Sequence, residues 1–356
     1  MSAASLTQPP YRSPRADSGP PLECPICCGG SLQTLRSFTA PQAAEYFLPR
    51  RRDSRRHAKL ERNLEGLWPD AVCQSFQCTD CRFAFPVPYV AGDPEFYDLA
   101  YGIPSYPRHR WEYDRAVHFL RPLCLSSAPR RILELGAGDG RFIQMLLRDS
   151  VCTPEQIVAT DYSPHSVRAL GRLGVDARLS SVLSLASGRG DEPSFDAACA
   201  FQSIEHMARV IEVILAVKHM TKPGGLIILS VPHGPAVEFS ERRLGCFDMP
   251  PNHVGRWYRD TFVALAGRVG LELVAHEVEP RNLRRWLMSA VELRVRGIAG
   301  ASPRSFAARV RAIENTAIRR ALSAVAGAAA LLPLLPAVLR MKSGFSQLAV
   351  LRLPPN

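Results

Sequence analysis

Lysine is scarce in this sequence. It occurs only at positions 59, 218, 222 and 342, so arginine carries nearly all of the formal net charge of +11. A strongly positive chain can attract nucleic acid, a lipid surface or a phosphorylated substrate. An excess of arginine in an alanine-rich chain also follows from a GC-rich genome, which implies no anionic partner. We therefore expect no nucleic-acid partner.

The first 21 residues lack an apolar run of signal-peptide length and are rich in proline, serine and glycine. This composition is typical of a disordered tail. We expect the protein to be cytoplasmic, with peripheral contact at the inner membrane face as the open alternative. In a reducing compartment, the ten cysteines of the chain point to metal binding rather than to disulfides.

Two cysteine pairs have the spacing of metal-binding knuckles: Cys24-Pro-Ile-Cys27 and Cys78-Thr-Asp-Cys81. Each pair can turn two thiolates toward one ion, and two pairs complete a closed, structural zinc site. We predict a small zinc-binding module over residues 22–90, with a helical insertion at 41–68. The alternative is a set of unrelated buried or redox cysteines, and Cys28 and Cys73 lie close enough to be rival ligands.

From residue 130 onward, short apolar runs alternate with amphipathic stretches. This pattern is typical of strand and helix units in a parallel sheet, so the chain is predicted to be α/β. The predicted strands are 131–135, 156–160, 175–179, 195–201, 225–231, 271–279 and a last one at 344–353. The predicted helices between them are 140–149, 164–172, 208–220 and 259–269.

The first of these strands ends in an acid and three alternating glycines: Glu134, Gly136, Gly138 and Gly140. Glycines let the backbone approach a ligand at the carboxyl end of the sheet, where open α/β sheets bind their cofactors. A dinucleotide fingerprint would need glycine at 141, where this chain has arginine, and this argues against a nicotinamide oxidoreductase. The acid suits a ligand with an ammonium group.

This segment resembles the first motif of class I S-adenosylmethionine-dependent methyltransferases. Three further segments resemble the family and follow in order: Asp161 after the second strand, Phe195-Asp196 to Glu205-His206-Met207 around the fourth, and Lys222-Pro223-Gly224-Gly225 before the fifth. The resemblance implies a Rossmann-like sheet of seven strands and S-adenosyl-L-methionine as the cofactor.

The resemblance also implies a set of cofactor contacts. Glu134 would lie near the methionine ammonium, and Asp161 would accept the ribose hydroxyls. Ser180 and Ser181 stand where the family usually has an aspartate that accepts from the adenine amine. The predicted cofactor-binding residues are Glu134, Gly136, Gly138, Gly140, Asp161, Tyr162, Ser181, Val182 and Phe201.

The flanking sequence extends this resemblance. The cysteine pair at 78–81, followed by the Phe-Tyr pair at 96–97, resembles zinc-ribbon methyltransferases associated with sugar, polysaccharide, lipid or natural-product modification. We predict methyl transfer to an oxygen, nitrogen or carbon nucleophile of a small-molecule acceptor. The alternative is a non-catalytic scaffold that retains the cofactor fold, which Ser181 favours and the intact Glu134 and Asp161 oppose.

His206 is the predicted catalytic residue, because it follows the fourth strand at the carboxyl edge and titrates near neutral pH. His253, on a loop that can close the same pocket, is the rival. A structural role for His206, capping the next helix or orienting the loop, stays open. Related ubiquinone-pathway O-methyltransferases place a divalent metal on acids and the histidine of this segment. Glu205 and His206 match that pattern here, but Gln202 replaces an acid.

The remaining boundaries follow from these patterns. We predict a helical connector at 91–128, the Rossmann-like core at 129–280, a helical insertion at 281–342 and the last core strand at 343–356. Because the last strand of this fold returns antiparallel beside the sixth, the insertion would join these two strands.

The insertion contains a long uncharged stretch from Ala321 to Leu339. Its length would suffice for a bilayer span, but Pro333, Pro336 and many alanines make it a weak one. Basic residues flank the stretch. We therefore predict that 310–342 is either a lid over the substrate, which we favour, or a segment at an anionic membrane surface. The sequence does not predict an oligomeric state.

Overall fold

The computed structural model of the chain describes residues 22–101, 107, 109–124, 130–187, 194–302 and 304–355. The predicted N-terminal tail, residues 1–21, lies outside the described residues. The described part is organised around two sheets, one of three strands and one of seven.

The smaller sheet belongs to the cysteine-containing N-terminal region. Its antiparallel strands are β1 (Leu32–Thr39), β2 (Val72–Cys78) and β3 (Ala84–Val87). The connection between β1 and β2 carries two helices, α1 (Ala40–Phe47) and α2 (Ser54–Leu67), within the predicted helical insertion. Thr39 and Gln42 form a capping box that fixes the start of α1, and the Asp53 side chain accepts from a backbone amide at the start of α2.

The larger sheet contains the predicted core strands and the last strand. They are β4 (Ile132–Leu135), β5 (Ile157–Asp161), β6 (Asp176–Leu179), β7 (Phe195–Phe201), β8 (Thr221–Pro232), β9 (Glu272–Pro280) and β10 (Ser343–Arg352). Their order is β6-β5-β4-β7-β8-β10-β9. Neighbours from β6 to β8 are parallel, whereas β10 runs antiparallel between β8 and β9. The predicted α/β class and the seven-stranded Rossmann-like sheet are confirmed.

Helices cover both faces of this sheet, which is why all seven residues of the central strand β7 are buried. The helices between β3 and the insertion are α3 (Pro94–Ala100), α4 (Trp111–Cys124), α5 (Arg141–Arg148), α6 (Pro164–Gly171), α7 (Val182–Ser187), α8 (Val210–Met220), α9 (Gly234–Phe239) and α10 (Arg259–Val269). Of these, α3 packs against α2 in the N-terminal region rather than on this sheet. Most of the predicted boundaries lie within one or two residues of the observed ones, and one differs by more. β8 begins at Thr221 rather than at 225, because Thr221 pairs with Phe195 ahead of an irregularity in the register.

The strand order determines where a ligand can bind. β4 pairs with β5 on one side and with β7 on the other, so the chain order reverses at β4. In open α/β sheets, ligands bind at the carboxyl end of the strands at such a reversal point. The glycine loop after β4 and the histidine-containing loop after β7 therefore meet at one edge, which we call the carboxyl edge.

The N-terminal region packs directly on the larger sheet and shares its core. Cys24, Ile26 and Phe83 belong to the same buried cluster as Trp257 and Phe262. Polar contacts reinforce this packing, since the hydroxyl of Thr261 donates to the carbonyl oxygen of Cys81 over 2.8 Å. The cysteine-containing end of the small sheet thereby gains buried apolar area from α10.

The C-terminal insertion joins β9 to β10. It contains α11 (Leu283–Ala301), α12 (Phe306–Arg311), α13 (Thr316–Leu331) and α14 (Leu335–Leu339). Trp286 anchors it, because the indole is fully buried, lies 4.1 Å from the Phe345 ring centroid and donates to the Ser343 carbonyl. Since β9 is parallel to the core strands, the insertion leaves and rejoins the sheet at the carboxyl edge.

Candidate active site

The glycine loop after β4 adopts a backbone that favours glycine. Gly136, Gly138 and Gly140 all have positive φ angles, of 65°, 56° and 78°. A Cβ on Gly136 would lie 3.0 Å from the Cβ of Ser203 in the loop after β7. The absence of side chains thus lets these two loops approach each other at the carboxyl edge.

Asp161 lies at the end of β5 and is oriented by the backbone. Its Oδ2 accepts from the amide of Gly138 over 2.9 Å, and its Oδ1 accepts from the amide of Ser163 over 2.8 Å. Each carboxylate oxygen keeps a further lone pair after these bonds. The side chain is therefore held in a fixed orientation next to the glycine loop, with acceptor capacity left for a ligand. The Tyr162 side chain that follows is exposed.

Glu134 is buried within β4 and has only 3% of its surface exposed. Its Oε2 has no hydrogen-bond partner among the residues that the structure describes. Burial, together with the nearby carboxylates of Asp161 and Asp139, raises the pKa of Glu134 well above its ordinary value. A buried acceptor without a partner is costly unless a ligand satisfies it. This position fits an ammonium group, so the glycine loop and its two acids fit the predicted cofactor.

The residues predicted at the adenine side are arranged differently. The Ser181 hydroxyl accepts from the Ser184 amide over 2.9 Å at the start of α7, so it is partly occupied as a helix cap. Val182 is buried in the first turn of the same helix. Phe201 lies at the end of β7 and packs against Phe142, with ring centroids 4.6 Å apart.

The loop after β7 forms a short 3₁₀ turn, Ile204–His206, which approaches the loop before α10. Amides of Val254 and Gly255 donate to the carbonyl oxygen of Glu205 and hold the two loops together. The structure thereby brings His206 and His253 together, with ring centroids 4.7 Å apart. We call Glu205, His206, Asp248 and His253 the histidine cluster.

The two histidines have different hydrogen-bond partners. His206 Nδ1 lies 2.5 Å from the carbonyl oxygen of Asn252, which can only accept, so this nitrogen carries the proton. His253 Nδ1 donates to the Asp248 carboxylate over 2.6 Å. In both rings the Nε2 atom is therefore the one left for other contacts. The Glu205 Oε2 is buried and has no partner within the described part of the chain.

These surroundings shift the pKa values of the cluster in opposite directions. Burial and the neighbouring His253 lower the pKa of His206 to about 3, so its imidazole is neutral at neutral pH. Burial alone would lower the pKa of His253, but Asp248 outweighs it and raises that pKa to about 9. Burial raises the pKa of Glu205 to about 7. The cluster thus combines a neutral and a charged histidine next to an acid.

Three residues near the site were not predicted from the sequence. Asp248 is partly buried in the loop before His253. Tyr97 lies 3.1 Å from His206 Nδ1 and donates its hydroxyl to the Asn252 carbonyl. Glu112 of α4 is buried beside Gln202, whose amide donates to it over 3.3 Å. The sequence offers only a weak signal for these residues. Asp248 is an acid in an irregular loop and Tyr97 lies in a distant helix, so neither belongs to a recognisable motif.

One oxygen or nitrogen atom from each of Glu205, His206 and His253 lies within 4.8 Å of the others, close enough to hold one metal ion. Gln202, which replaces the acid of the metal-binding pattern, is turned away from this group toward Glu112 and Ser230. His253 was not part of that pattern.

The four predicted zinc ligands also come together, and we call them the cysteine cluster. The sulfur atoms of Cys24, Cys27, Cys78 and Cys81 lie within 4.8 Å of one another. Amides of Ile26 and Gly29 donate to two of these sulfurs over 3.4 Å, an arrangement that suits thiolates. The donor set fits a tetrahedral zinc ion. The rival thiols lie elsewhere, since Cys28 is exposed and Cys73 is buried in the core of the helical insertion.

Comparison with known proteins agrees with this geometry. A family profile described as a methyltransferase domain matches residues 106–276. A ubiquinone biosynthesis O-methyltransferase of Xanthomonas campestris pv. campestris (strain B100) is 24% identical over 232 residues, which cover 60% of this chain and 88% of that protein. The protein of the same name from Xanthomonas oryzae pv. oryzae (strain PXO99A) is 25% identical over 206 residues, covering 53% and 77%.

Among solved structures, a SAM-dependent methyltransferase from Archaeoglobus fulgidus is similar at 14% identity and a TM-score of 0.42, covering 67% of this chain and 94% of that one. The [4+2]-cyclase SpnF is similar at 19% identity and a TM-score of 0.43, covering 68% and 82%. The family profile and the named relatives confirm the predicted family and the predicted enzyme class, and they oppose the scaffold and oxidoreductase alternatives. The family profile and the relatives thus support a class I S-adenosylmethionine-dependent methyltransferase.

Proposed function

We propose that this enzyme methylates a hydroxyl group of a small molecule and that His206 takes the proton from that hydroxyl. The relatives are named as O-methyltransferases, which supports an oxygen acceptor. The observation that carries the proposal is the hydrogen bond from His206 Nδ1 to the Asn252 carbonyl. Because Nδ1 carries the proton, the lone pair of Nε2 is left to accept another.

Bound S-adenosyl-L-methionine would supply a methyl group that is already activated on a positively charged sulfur. We propose that Asp161 accepts the ribose hydroxyls with the lone pairs left by its two backbone bonds. Glu134 would accept from the ammonium group, which would satisfy its unpartnered oxygen. The remaining contacts would come from the glycine loop and, around the adenine, from Tyr162, Ser181, Val182 and Phe201. Together these residues orient the donor, which is the main requirement of such a transfer.

His206 is suited to the proton that an attacking hydroxyl must lose. Alkylation turns a hydroxyl into an oxonium, which is a far stronger acid than an imidazolium. A histidine with a depressed pKa can therefore still accept this proton as the new bond forms. The position of His206, three residues after Ser203 that contacts the glycine loop, supports a role close to the methyl group.

We propose that His253 is a positioning residue. Held in the charged form by Asp248, it disfavours a second positive charge on the neighbouring ring and so keeps His206 neutral before reaction. Tyr97 and the Asn252 carbonyl fix the orientation of the His206 ring.

The test is turnover with methyl-labelled cofactor on a panel of phenols, catechols, sugars and lipid alcohols. Once an acceptor is found, His206→Ala should lower kcat by roughly 10²–10⁴-fold, the usual contribution of a general base, with cofactor affinity kept. His219→Ala, an exposed histidine on α8, is the matched control and should leave kcat unchanged.

Two outcomes would contradict the role of His206. Equal turnover in wild type and His206→Ala would leave alignment alone as the mechanism. Loss of turnover in EDTA that Mg²⁺ or Mn²⁺ restores would assign Glu205, His206 and His253 to a divalent metal instead, a function that their separation of 4.8 Å or less also favours.

We also propose that the cysteine cluster binds a structural Zn²⁺ through Cys24, Cys27, Cys78 and Cys81. The mutual approach of four thiols and the two amides that donate to sulfur support this proposal. A site closed by four protein ligands leaves no position for a substrate, so its role would be to stabilise the N-terminal module against α10.

A further inference from the structure

The segment Thr316–Leu339 of the C-terminal insertion is long and apolar enough to cross a membrane by length and composition alone. In a folded soluble domain, such a helix is normally buried. Here only Gly327, Leu331 and Val338 are buried along the whole segment. An apolar helix of this length on the surface of the protein needs a partner.

The exposed side chains form one continuous stripe. Large apolar residues recur every seven positions, at Ile318, Val325, Leu332 and Leu339, and Val325 and Leu332 are 70% and 69% exposed. Within α13, a spacing of seven returns to nearly the same face of the helix. Leu332 begins a 3₁₀ turn, Leu332–Leu334, and Leu339 ends α14, so these two residues extend the stripe past the end of α13. Smaller uncharged residues widen the stripe: Ala321, Ala324, Ala328, Ala329, Pro333 and Pro336 are also exposed.

The opposite side of the segment is fixed to the protein. A Cβ on Gly327 would lie 2.5 Å from the Val291 carbonyl oxygen, so α13 packs directly on the backbone of α11. Leu331 and Val338 join the buried cluster around Trp286. Both ends of the segment are tied to the domain as well, because α12 precedes it and β10 follows it. The stripe is therefore presented outward on a rigid support.

Charge at the ends of the stripe indicates what can cover it. From residue 315 to the C-terminus the sequence has no acid, while Arg319, Arg320, Arg340 and Lys342 flank the apolar residues. Arg320, Arg340 and Lys342 are exposed. A second copy of the same helix would bring like charges together at its ends. An anionic lipid surface complements both the basic ends and the apolar stripe.

We propose that the stripe docks the enzyme on an anionic membrane surface, with the helix lying parallel to the bilayer. A lid over the cofactor would turn these side chains inward, whereas they face solvent. Because the insertion leaves and rejoins the sheet at the carboxyl edge, docking would hold the cofactor-binding edge close to the lipid. This proposal concerns surface attachment and does not depend on which atom the enzyme methylates.

Flotation of the full chain with vesicles tests the proposal. The protein should float with vesicles that contain phosphatidylglycerol and much less with pure phosphatidylcholine. About 1 M NaCl should weaken the association, because the Debye length then falls to roughly 3 Å. Val325→Glu with Leu332→Glu should reduce the bound fraction about tenfold or more, since two charges would enter the apolar layer. Arg320→Gln with Arg340→Gln should reduce it by a smaller factor.

Matched controls are available on other helices. Leu215→Glu with Val263→Glu changes two other exposed apolar residues, 45% and 47% exposed on α8 and α10, and should leave flotation unchanged. Arg168→Gln with Arg172→Gln changes two exposed arginines at the C-terminal end of α6 and should also leave flotation unchanged. Circular dichroism and sedimentation of each variant check the fold and the oligomeric state. The proposal is wrong if anionic vesicles do not bind the wild type. It is also wrong if the Val325→Glu, Leu332→Glu variant floats to the same extent as the wild type. A dimer in vesicle-free solution that this variant dissociates would assign the stripe to a second copy instead.

Discussion

The cysteine cluster and the histidine cluster both consist of side chains that can bind a metal ion, and they differ in residue type and in how the chain assembles them. Four thiols from two short knuckles approach one another in the first. In the second, Glu205 and His206 come from the loop after β7, while Asp248 and His253 come from the loop before α10. The cysteine cluster is a closed set of ligands. The histidine cluster leaves the Nε2 atoms of its two rings and one carboxylate oxygen, Glu205 Oε2, without an assigned partner in the described structure.

This difference separates a stabilising site from a reactive one. A closed set of identical ligands satisfies every donor and excludes substrate, so it can only hold structure. A mixed set with shifted pKa values at the carboxyl edge keeps acceptor capacity for chemistry. We therefore expect substitutions in the cysteine cluster to act on folding, and substitutions in the histidine cluster to act on turnover and on pH dependence.

The largest effect should come from breaking the cysteine cluster. Cys78→Ser should abolish zinc binding and lower the free energy of unfolding by about 3 kcal/mol or more, because the ion that joins the two knuckles loses a ligand. Metal analysis and thermal unfolding measure both. Cys28→Ser changes an exposed thiol directly after the other knuckle, Cys24–Cys27, and is the control that should keep zinc at unit stoichiometry. Zinc retained in Cys78→Ser, or absent from the wild type, would contradict the zinc proposal.

The same contrast explains how much the sequence could predict. The core strands were predictable because buried parallel strands are short apolar runs between amphipathic helices. The approach of the four cysteines was predictable because the spacing within each knuckle is local. Gly136 and Asp161 were predictable as neighbours, since both follow parallel strands at a reversal of the strand order.

The histidine cluster was only partly predictable. His206 and His253 were expected at one pocket, but the pairing of His253 with Asp248 depends on the path of an irregular loop. The Glu205 carbonyl holds that loop in place by accepting from Val254 and Gly255, a contact without a side-chain signature. The exposure of Val325 was likewise unpredictable, because an apolar helix is normally expected to face a core.

An intermediate effect should follow from removing the ribose acceptor. Asp161→Ala removes a charged acceptor from two hydroxyls and should weaken cofactor binding by on the order of 2–3 kcal/mol. Calorimetry with S-adenosylhomocysteine measures this loss. Asp176→Ala on β6 removes an exposed aspartate that pairs with Arg178 and serves as the control, for which affinity should stay the same. An Asp161→Ala variant that folds and binds with unchanged affinity would refute the assignment.

The smallest effect should come from removing the charge difference between His206 and His253. Because the Asp248 carboxylate raises the pKa of His253 from 6.5 to about 9, this pair stabilises the fold fully below pH 6.5. The contribution is lost as the pH rises through about 9, which corresponds to about 2 kcal/mol or less between pH 7 and 9.

Asp248→Asn should lower the pKa of His253 and flatten this decline. NMR titration of the histidine rings and denaturant unfolding, both without added Mg²⁺ or Mn²⁺, measure the two effects. His253→Gln should flatten the decline in the same way, while His219→Ala should not. An undiminished decline in Asp248→Asn would show that another group titrates in this range, and the histidine cluster would then lack the charge asymmetry that distinguishes it from the cysteine cluster.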